Sequence, residues 1–257
     1  MVKKLSTLIM ALVFVLAART PLFAELKYTV HMEARPAANG GGDPIAQMMA
    51  GMLAQIFPPG GIDQVVIDGG EKGTRTEQKQ AFATIKAGTV TLVRPDGSVV
   101  MFDPSTKTYW KQASMADAAA AALGGATPNI KLVKRGDFET INGMKAERLQ
   151  YEIMLQIPGV DPAMAAQLGD MTMRLSVWQT DAIKTSATST SLMGTLLKQF
   201  GMAGVKELAD GRVMVKGIVT MFGTEIVTTT SGFTNEPAPA GSFDVPADYK
   251  EVPSPIK

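Results

Sequence analysis

Methionine is the residue type in this chain with the most evident potential for chemistry, with 17 copies in 257 residues. A thioether is a soft ligand that can bind Cu(I), and Met48, Met49, Met52, Met171 and Met173 form two closely spaced groups. However, the first group alternates with Ile and Leu on one face of a predicted helix, and the second shares a strand face with a leucine. Because only one aspartate flanks either group, we predict no metal site. Unbranched, polarizable methionines also suit irregular apolar surfaces that accept variable ligands, and we favour that use.

His31 is the only histidine, and it limits the imidazole chemistry that the chain could perform. The absence of Cys excludes a zinc site built from His and Cys. A Ser-His-Asp hydrolase would have to use His31, but no serine stands in a Gly-x-Ser-x-Gly turn. Since His31 falls on the polar face of a predicted strand, we predict a structural or solvated role for it.

Acidic residues in the middle of the chain leave one enzymatic alternative open, a glycosidase with two carboxylates. The candidates are Asp137, Glu139, Glu147, Glu152 and Asp170. Their spacing marks no pair, and scattered carboxylates are typical of a protein surface. We therefore predict no catalytic residues, no cofactor and no enzymatic activity.

The glycine-rich segments and the charge balance argue against phosphate and nucleic acid as partners. Neither 40–42 nor 69–73 has the strand, loop and helix with a Lys-Ser/Thr pair that a phosphate-binding loop requires. The 25 basic residues nearly balance the 24 acidic ones, without basic clusters, whereas nucleic-acid binding needs concentrated Lys and Arg.

The first 24 residues have the pattern of a secretory signal peptide. Lys3 and Lys4 precede an apolar run of eleven residues from Leu8 to Ala18, which is too short to span a membrane at ~20 residues. We predict cleavage after Ala24, although Leu22 fits the −3 position less well than Ala, which leaves an uncleaved anchor as the alternative. With no acceptor cysteine for a lipid anchor and no later transmembrane segment, we expect a periplasmic or secreted protein.

Alternating strands joined by short turns dominate the rest of the sequence. Residues 26–33 alternate apolar and polar side chains, which predicts a half-buried strand. Residues 89–111 predict three strands joined by two turns, in which Gly97 accepts a positive φ. The Asn142-Gly143 dipeptide predicts a hairpin whose second arm is long.

The order of these elements predicts an α+β fold. We expect about ten or eleven strands without a βαβ rhythm, forming one large curved antiparallel sheet, a half-barrel, with helices packed on its concave side. Residues 25–257 then form a single domain with a helical insertion at 43–57 and a Pro-rich tail at 235–257. Further short helices are predicted near 114–123, 161–169 and 191–200.

The amphipathic helix 43–57 and the long alternating strands supply a candidate set of ligand-binding residues. In the helix, apolar residues recur on one face, and its other face carries no charge, so we expect it to be covered. The candidate residues are Met48, Met52, Leu53, Ile56, Leu149, Tyr151, Ile153, Leu155, Met171, Met173, Leu175 and Val177.

Several segments resemble the bacterial lipoprotein carriers of the LolA/LolB-like superfamily and related exported proteins. The similar segments are the signal peptide, GSVVMFDPSTKTYWK, LVKRGDFETINGMKAERLQYEI, LSVWQTDAIK with Trp178 near the strand end, and FDVPADYKEV. This resemblance covers about two thirds of the chain that follows the signal peptide. It implies an open half-barrel closed by helices around an apolar cavity. The helix 43–57 and the segment near 158–170 depart from that pattern. The resemblance therefore predicts the sheet architecture but not the acyl-chain cargo of the known carriers.

The sequence thus predicts an exported, non-enzymatic β protein that binds a lipid, a lipoprotein acyl chain or another apolar partner in an apolar groove. The alternative is a structural or interaction module of the cell envelope, with a filled core, no small ligand and a protein partner.

Overall fold

The computed structural model describes residues 25–37, 47, 51, 57–82, 85–112, 127–156, 172–184, 212–221 and 223–255. About two thirds of these residues belong to one sheet of twelve strands. The strands are β1 (Leu26–Pro36), β2 (Ile62–Asp68), β3 (Thr74–Gln78), β4 (Val90–Val93), β5 (Val99–Asp103), β6 (Thr108–Gln112), β7 (Thr127–Ile141), β8 (Met144–Gln156), β9 (Thr172–Lys184), β10 (Arg212–Met221), β11 (Thr224–Asn235) and β12 (Lys250–Glu251). Their spatial order is β12-β6-β5-β4-β3-β2-β1-β11-β10-β9-β8-β7.

This architecture corrects the predicted fold class. The expectation of a large, mainly antiparallel sheet is confirmed, but the sheet is open and has twelve strands, and no helix packs on it within the described residues. Apart from Gln47 and Gly51, which are helical, the helical element in this part of the chain is a single 3-10 turn, Gly70–Lys72. The α+β prediction was therefore wrong for the described chain. The segments that were predicted as helices, including nearly all of 43–57, lie outside the described residues.

Short turns explain why strands that follow one another in sequence lie side by side. Asn142 and Gly143 both have positive φ (52° and 77°), as a two-residue hairpin turn requires, and they join β7 to β8. Gly97 also has a positive φ, as predicted, in the turn from β4 to β5. In the turn from β5 to β6, Lys107 has a φ of 52°, and the sequence did not predict a positive φ at this lysine. These hairpins confirm the predicted meander.

The two faces of the sheet differ in what they bury. Cross-strand partners share a face of the sheet. Successive cross-strand pairs lead from β1 to β8: Met32 with Thr228, Thr228 with Gly217, Gly217 with Val177, and Val177 with Leu149. The apolar sides of β1 and β8 therefore lie on the same face. This face, here called the apolar face, carries buried clusters centred on β1–β2, on β4–β6 and on β8–β9.

On the opposite face, the C-terminal tail covers β4 and β5. Val245 and Tyr249 pack against a buried cluster of Val90, Leu92 and Phe102. The tail then pairs with β6 through β12, which is the one parallel pairing in the described sheet. The sequence predicted a Pro-rich tail but not its return to the sheet. No helix in the described ranges is both long enough and apolar enough to cross a membrane.

Candidate functional site

The candidate site is an apolar cluster on the last four strands of the sheet, β7 to β10. Period-two alternation directs Leu149, Tyr151 and Ile153 of β8 to the apolar face, and Leu175 and Val177 of β9 lie beside them in register. All five side chains are at most 3% exposed. We call these five residues the apolar cluster.

Partly buried side chains surround the apolar cluster and give it an accessible margin. They come from three strands and are Ile130, Leu132, Met173, Met214 and Val219. The margin places apolar atoms on both sides of β8 and β9, so the apolar surface is continuous from β7 to β10. Two of the five are methionines, whose flexible side chains adapt to irregular contacts.

A charged group ends the apolar surface along β8. Glu147 lies two residues before Leu149 on the same face, and its carboxylate accepts hydrogen bonds from Arg212 Nη1 at 2.5 Å and Arg135 Nε at 3.3 Å. Gln179, its cross-strand partner on β9, is also buried. The hydrogen bond from Arg212 and the nearby positive charges hold the pKa of Glu147 below its usual value, although burial acts in the opposite direction.

The predicted ligand-binding residues divide into two sets. The structure brings six of them together: the apolar cluster supplies five and Met173 packs against it. The side chains of the others lie outside the described part of the chain, and these are Met48, Met52, Leu53, Ile56, Leu155 and Met171. Ligand binding by either set stays a prediction.

Sequence reasoning missed the charged group because its members are far apart in the chain. Glu147 was considered only as a scattered carboxylate, and neither arginine was singled out. Arg135 and Arg212 are 12 and 65 residues away from it, so only the strand order brings the three side chains together.

Among the other acidic candidates, two make exposed ion pairs. Asp137 pairs with Lys134 at 2.7 Å, and Glu139 pairs with Lys216 at 3.6 Å. Glu152 lies on the opposite face of β8 from the apolar cluster, whereas Asp170 is outside the described residues. The five carboxylates therefore do not form a reacting pair in the part of the chain that is described.

His31 lies on the opposite face and is held by a neighbouring strand. Its Nδ1 is 2.8 Å from Asp63 Oδ1, and Gln80 Nε2 donates to the other oxygen of Asp63 at 3.0 Å. The hydrogen bond from His31 is the main cause of a lowered pKa at Asp63. This arrangement connects β1, β2 and the segment after β3. Within the described ranges, no three His, Cys, Asp or Glu side chains converge as a metal site would require.

Two surface clefts occur among the described residues, and neither is lined by the apolar cluster. A cleft of about 330 Å³ lies beside Trp110 and Val252 at the β6 edge. A second, of about 570 Å³, lies on the opposite face between Val65, Ile67 and the tail residues Pro239 to Tyr249. Their linings mix charged and apolar side chains without a convergent set of polar groups.

The side chains of the apolar cluster can make apolar contacts. Its five core side chains carry one polar group, the Tyr151 hydroxyl, and no carboxylate, amine or imidazole. Apolar contact with a ligand would gain roughly 25 cal/mol for each Å² removed from water. Glu147, Arg135 and Arg212 form a charged group at the end of this surface.

Comparison with known proteins identifies similar solved structures. No protein-family model and no curated protein sequence matches the chain. The lipoprotein LppX of Mycobacterium tuberculosis is 11% identical, with 87% of this chain and 92% of that chain covered and a TM-score of 0.36. LprF of Mycobacterium bovis is 10% identical, with coverages of 88% and 91% and a TM-score of 0.32. A LolA superfamily protein of Nitrosomonas europaea is 11% identical, with coverages of 87% and 91% and a TM-score of 0.34.

One of these solved structures is a member of the LolA superfamily, the family that the sequence resembles. A similarity at this level concerns the fold, and we draw no functional conclusion from it.

Proposed function

We propose that this chain is a non-enzymatic binding protein that holds a lipid, or another apolar partner, against the apolar surface of β7 to β10. The observation that carries the proposal is the continuous apolar surface across these four strands, which ends at Glu147 and its two arginines. An amphipathic molecule has the same division into a long apolar part and one polar end.

The margin of the apolar cluster is where a ligand would make contact. The five core side chains are almost fully buried, whereas Ile130, Leu132, Met173, Met214 and Val219 keep exposed surface. Each methylene of an acyl chain that leaves water there would gain about 0.8 kcal/mol. Arg135, which is more than half exposed, is available to a carboxylate or phosphate at the polar end.

Uptake of a fluorescent fatty acid by the purified chain tests this proposal. Met173→Lys places an ammonium in the margin on β9, and we expect its affinity to fall at least about tenfold, which corresponds to about 1.4 kcal/mol. The matched control is Met154→Lys on β8, because Met154 points to the opposite face and is already exposed. Absence of uptake by the parent chain, or equal uptake by both variants, would reject the proposal.

We also propose that the chain acts outside the cytoplasm. The signal-peptide pattern of residues 1–24 supports this location. Glu25, the first residue after the predicted cleavage, accepts hydrogen bonds from Lys72 Nζ at 2.7 Å and from the backbone N–H of Ala238. Expression in a bacterial host followed by fractionation should give an envelope fraction whose intact mass begins at Glu25. A cytoplasmic chain that keeps its first 24 residues would contradict the proposal.

A structural or interaction module of the envelope is the second candidate function. The near-complete burial of the apolar cluster favours it, because a filled core leaves little room for a small ligand. A pull-down from envelope extracts after removal of lipid separates the two candidates. A module retains its protein partner after this treatment, whereas a lipid carrier loses its cargo.

A further inference from the structure

The last strand of the sheet, β7, has an exposed outer edge. Within the described residues, β7 pairs only with β8, so its other side presents backbone N–H and C=O groups that no described strand uses. Three large apolar side chains are markedly exposed in the described chain, and all lie on β7 or β8: Val133 (53%), Phe138 (59%) and Met154 (45%). An edge of this kind can pair with another strand.

We propose that β7 is a self-association edge, at which two copies of this chain pair their β7 strands in antiparallel orientation. The proposal does not rest on the lipid-binding function. It rests on the direction of the backbone groups of β7 and on the side chains that a twofold pairing would place opposite one another.

The hairpin turn determines which residues of β7 point outward. A two-residue turn makes Ile141 and Met144 a hydrogen-bonded pair, and alternate residues of each strand then face the partner strand. Phe138 and Thr140 therefore direct their N–H and C=O groups away from β8. Beyond the irregular part of the strand, Lys131 pairs with Glu152, which faces β7, so Ile130 and Leu132 are the outward residues there.

One twofold register satisfies both the backbone and the side chains. With the axis at Arg135, Leu132 lies opposite Phe138 of the second copy, and Ile130 lies opposite Thr140. These are outward residues in hydrogen-bonding positions. In the same register Lys131 lies opposite Glu139 of the second copy, so opposite charges meet. A register shifted by two residues would place Pro128, which has no N–H to donate, opposite Thr140.

The apolar pair of this register also continues the candidate site. Leu132 packs against the apolar cluster, and Phe138 is the cross-strand partner of Glu147, which lies on the same face. Pairing of Leu132 with Phe138 of the second copy would therefore extend the apolar face across the twofold axis. The exposed aromatic ring of Phe138 would lose most of its contact with water.

Irregular pairing in the centre of β7 limits the strength of this association. The register with β8 shifts between Leu132 and Lys134 and again between Lys134 and Asp137, and Gly136 has a φ of 91°. Such bulges interrupt a strand edge, so the contact consists of two short arms. We expect a weak dimer with a dissociation constant on the order of micromolar or higher, at the weak end of the range for specific interfaces.

Sedimentation equilibrium of the purified chain over a wide concentration range tests the proposal. We expect a monomer–dimer equilibrium, which Phe138→Asp shifts toward monomer by at least about tenfold in dissociation constant, or about 1.4 kcal/mol. Met154→Asp is the matched control, because it adds the same charge at an exposed apolar site outside the proposed contact. A parent chain that is monomeric at every concentration would overturn the proposal, as would equal dimerisation of Phe138→Asp and the parent.

Exchange of the two charges gives a second, independent test. Lys131→Glu and Glu139→Lys should each weaken dimerisation, because each places like charges opposite one another. An equal mixture of the two variants should restore it, since every contact across the axis then joins Glu to Lys. Because Glu139 also pairs with Lys216 at 3.6 Å, the urea midpoint of each variant is measured first to show that it is folded. Failure of the mixture to dimerise better than its components overturns the assigned register.

Discussion

Replacement of Glu147 by glutamine tests whether the charged group at the end of the apolar surface is a stabilising unit. The change keeps the shape of the side chain and removes its charge. It removes the negative charge that faces the guanidinium of Arg212, which is only 14% exposed. Arg135 is better hydrated and should tolerate the loss.

The expected destabilisation follows from the burial of the Glu147–Arg212 pair. Removal of one partner from a buried ion pair costs about 3–5 kcal/mol, because the remaining charge stays desolvated and loses the attraction of its counter-charge. With exposures of 11% and 14%, the pair is not fully buried, so we expect about 3 kcal/mol. The double replacement Glu147→Leu with Arg212→Leu should cost much less, because both charges leave together.

The stability difference should also depend on pH. The pKa of Glu147 is lower in the folded chain than its unfolded value of about 4.3. Its contribution is therefore fully present above the unfolded pKa and is lost as the pH falls through the folded pKa. Glu147→Gln lacks this contribution, so the gap in unfolding free energy between the parent chain and the variant should narrow as the solution becomes acidic.

Urea denaturation monitored by tryptophan fluorescence at neutral and acidic pH measures both effects. Asp137→Asn is the matched control, because the exposed pair of Asp137 with Lys134 should contribute at most about 1 kcal/mol. A loss for Glu147→Gln no larger than that of the control would refute the reasoning. A gap that stays constant down to the lowest pH would refute the assignment of the lowered pKa to this pair.

Four further substitutions test the packing. Leu149→Ala, at a fully buried position, should destabilise the chain by about 2–5 kcal/mol in the same urea assay, and a loss under 1 kcal/mol would indicate a loosely packed cluster. Gly73→Ala should be severe, because Gly73 has a φ of 95° and an added Cβ would lie 2.2 Å from the carbonyl oxygen of Val93. Gly97→Ala, with a positive φ but open space, should cost only about 1 kcal/mol, and equal losses at both glycines would contradict the steric account. Tyr249→Ala should expose the cluster on β4 and β5 and lower the urea midpoint, whereas an unchanged midpoint would show that the tail does not stabilise the sheet.

Local patterns in the sequence were sufficient to predict many of the strands and turns. Alternation identified β1 and β8, and Asn142-Gly143 identified the hairpin between β7 and β8, because both depend on neighbouring residues only. The same alternation selected the five residues of the apolar cluster, because β8 and β9 each direct one face to the core.

Long-range pairing could not be predicted in the same way. The sequence contains no local pattern that places Arg212 beside Glu147 or Asp63 beside His31, because these contacts depend on strand order and register. The parallel return of Lys250 to β6 also lacks a local pattern, since a two-residue strand is too short to alternate. The fold class was wrong for a different reason. Periodicity predicted helices for segments that lie outside the described chain, and the described part contains one large sheet and almost no helix.

The short strand β12 makes the two outer strands of the described sheet different, because it pairs with β6 at one end while β7 is the last strand at the other. Lys250 N–H donates to the carbonyl of Lys107 at 3.0 Å, and Val252 N–H donates to that of Tyr109 at 2.8 Å. The C-terminal segment therefore pairs with the start of the outer edge of β6. Repeated addition of molecules into a fibre through strand pairing needs two unpaired strand edges on every molecule. Because β12 covers the start of β6, the pairing through β7 that is proposed above would join two copies and would not continue into a fibre.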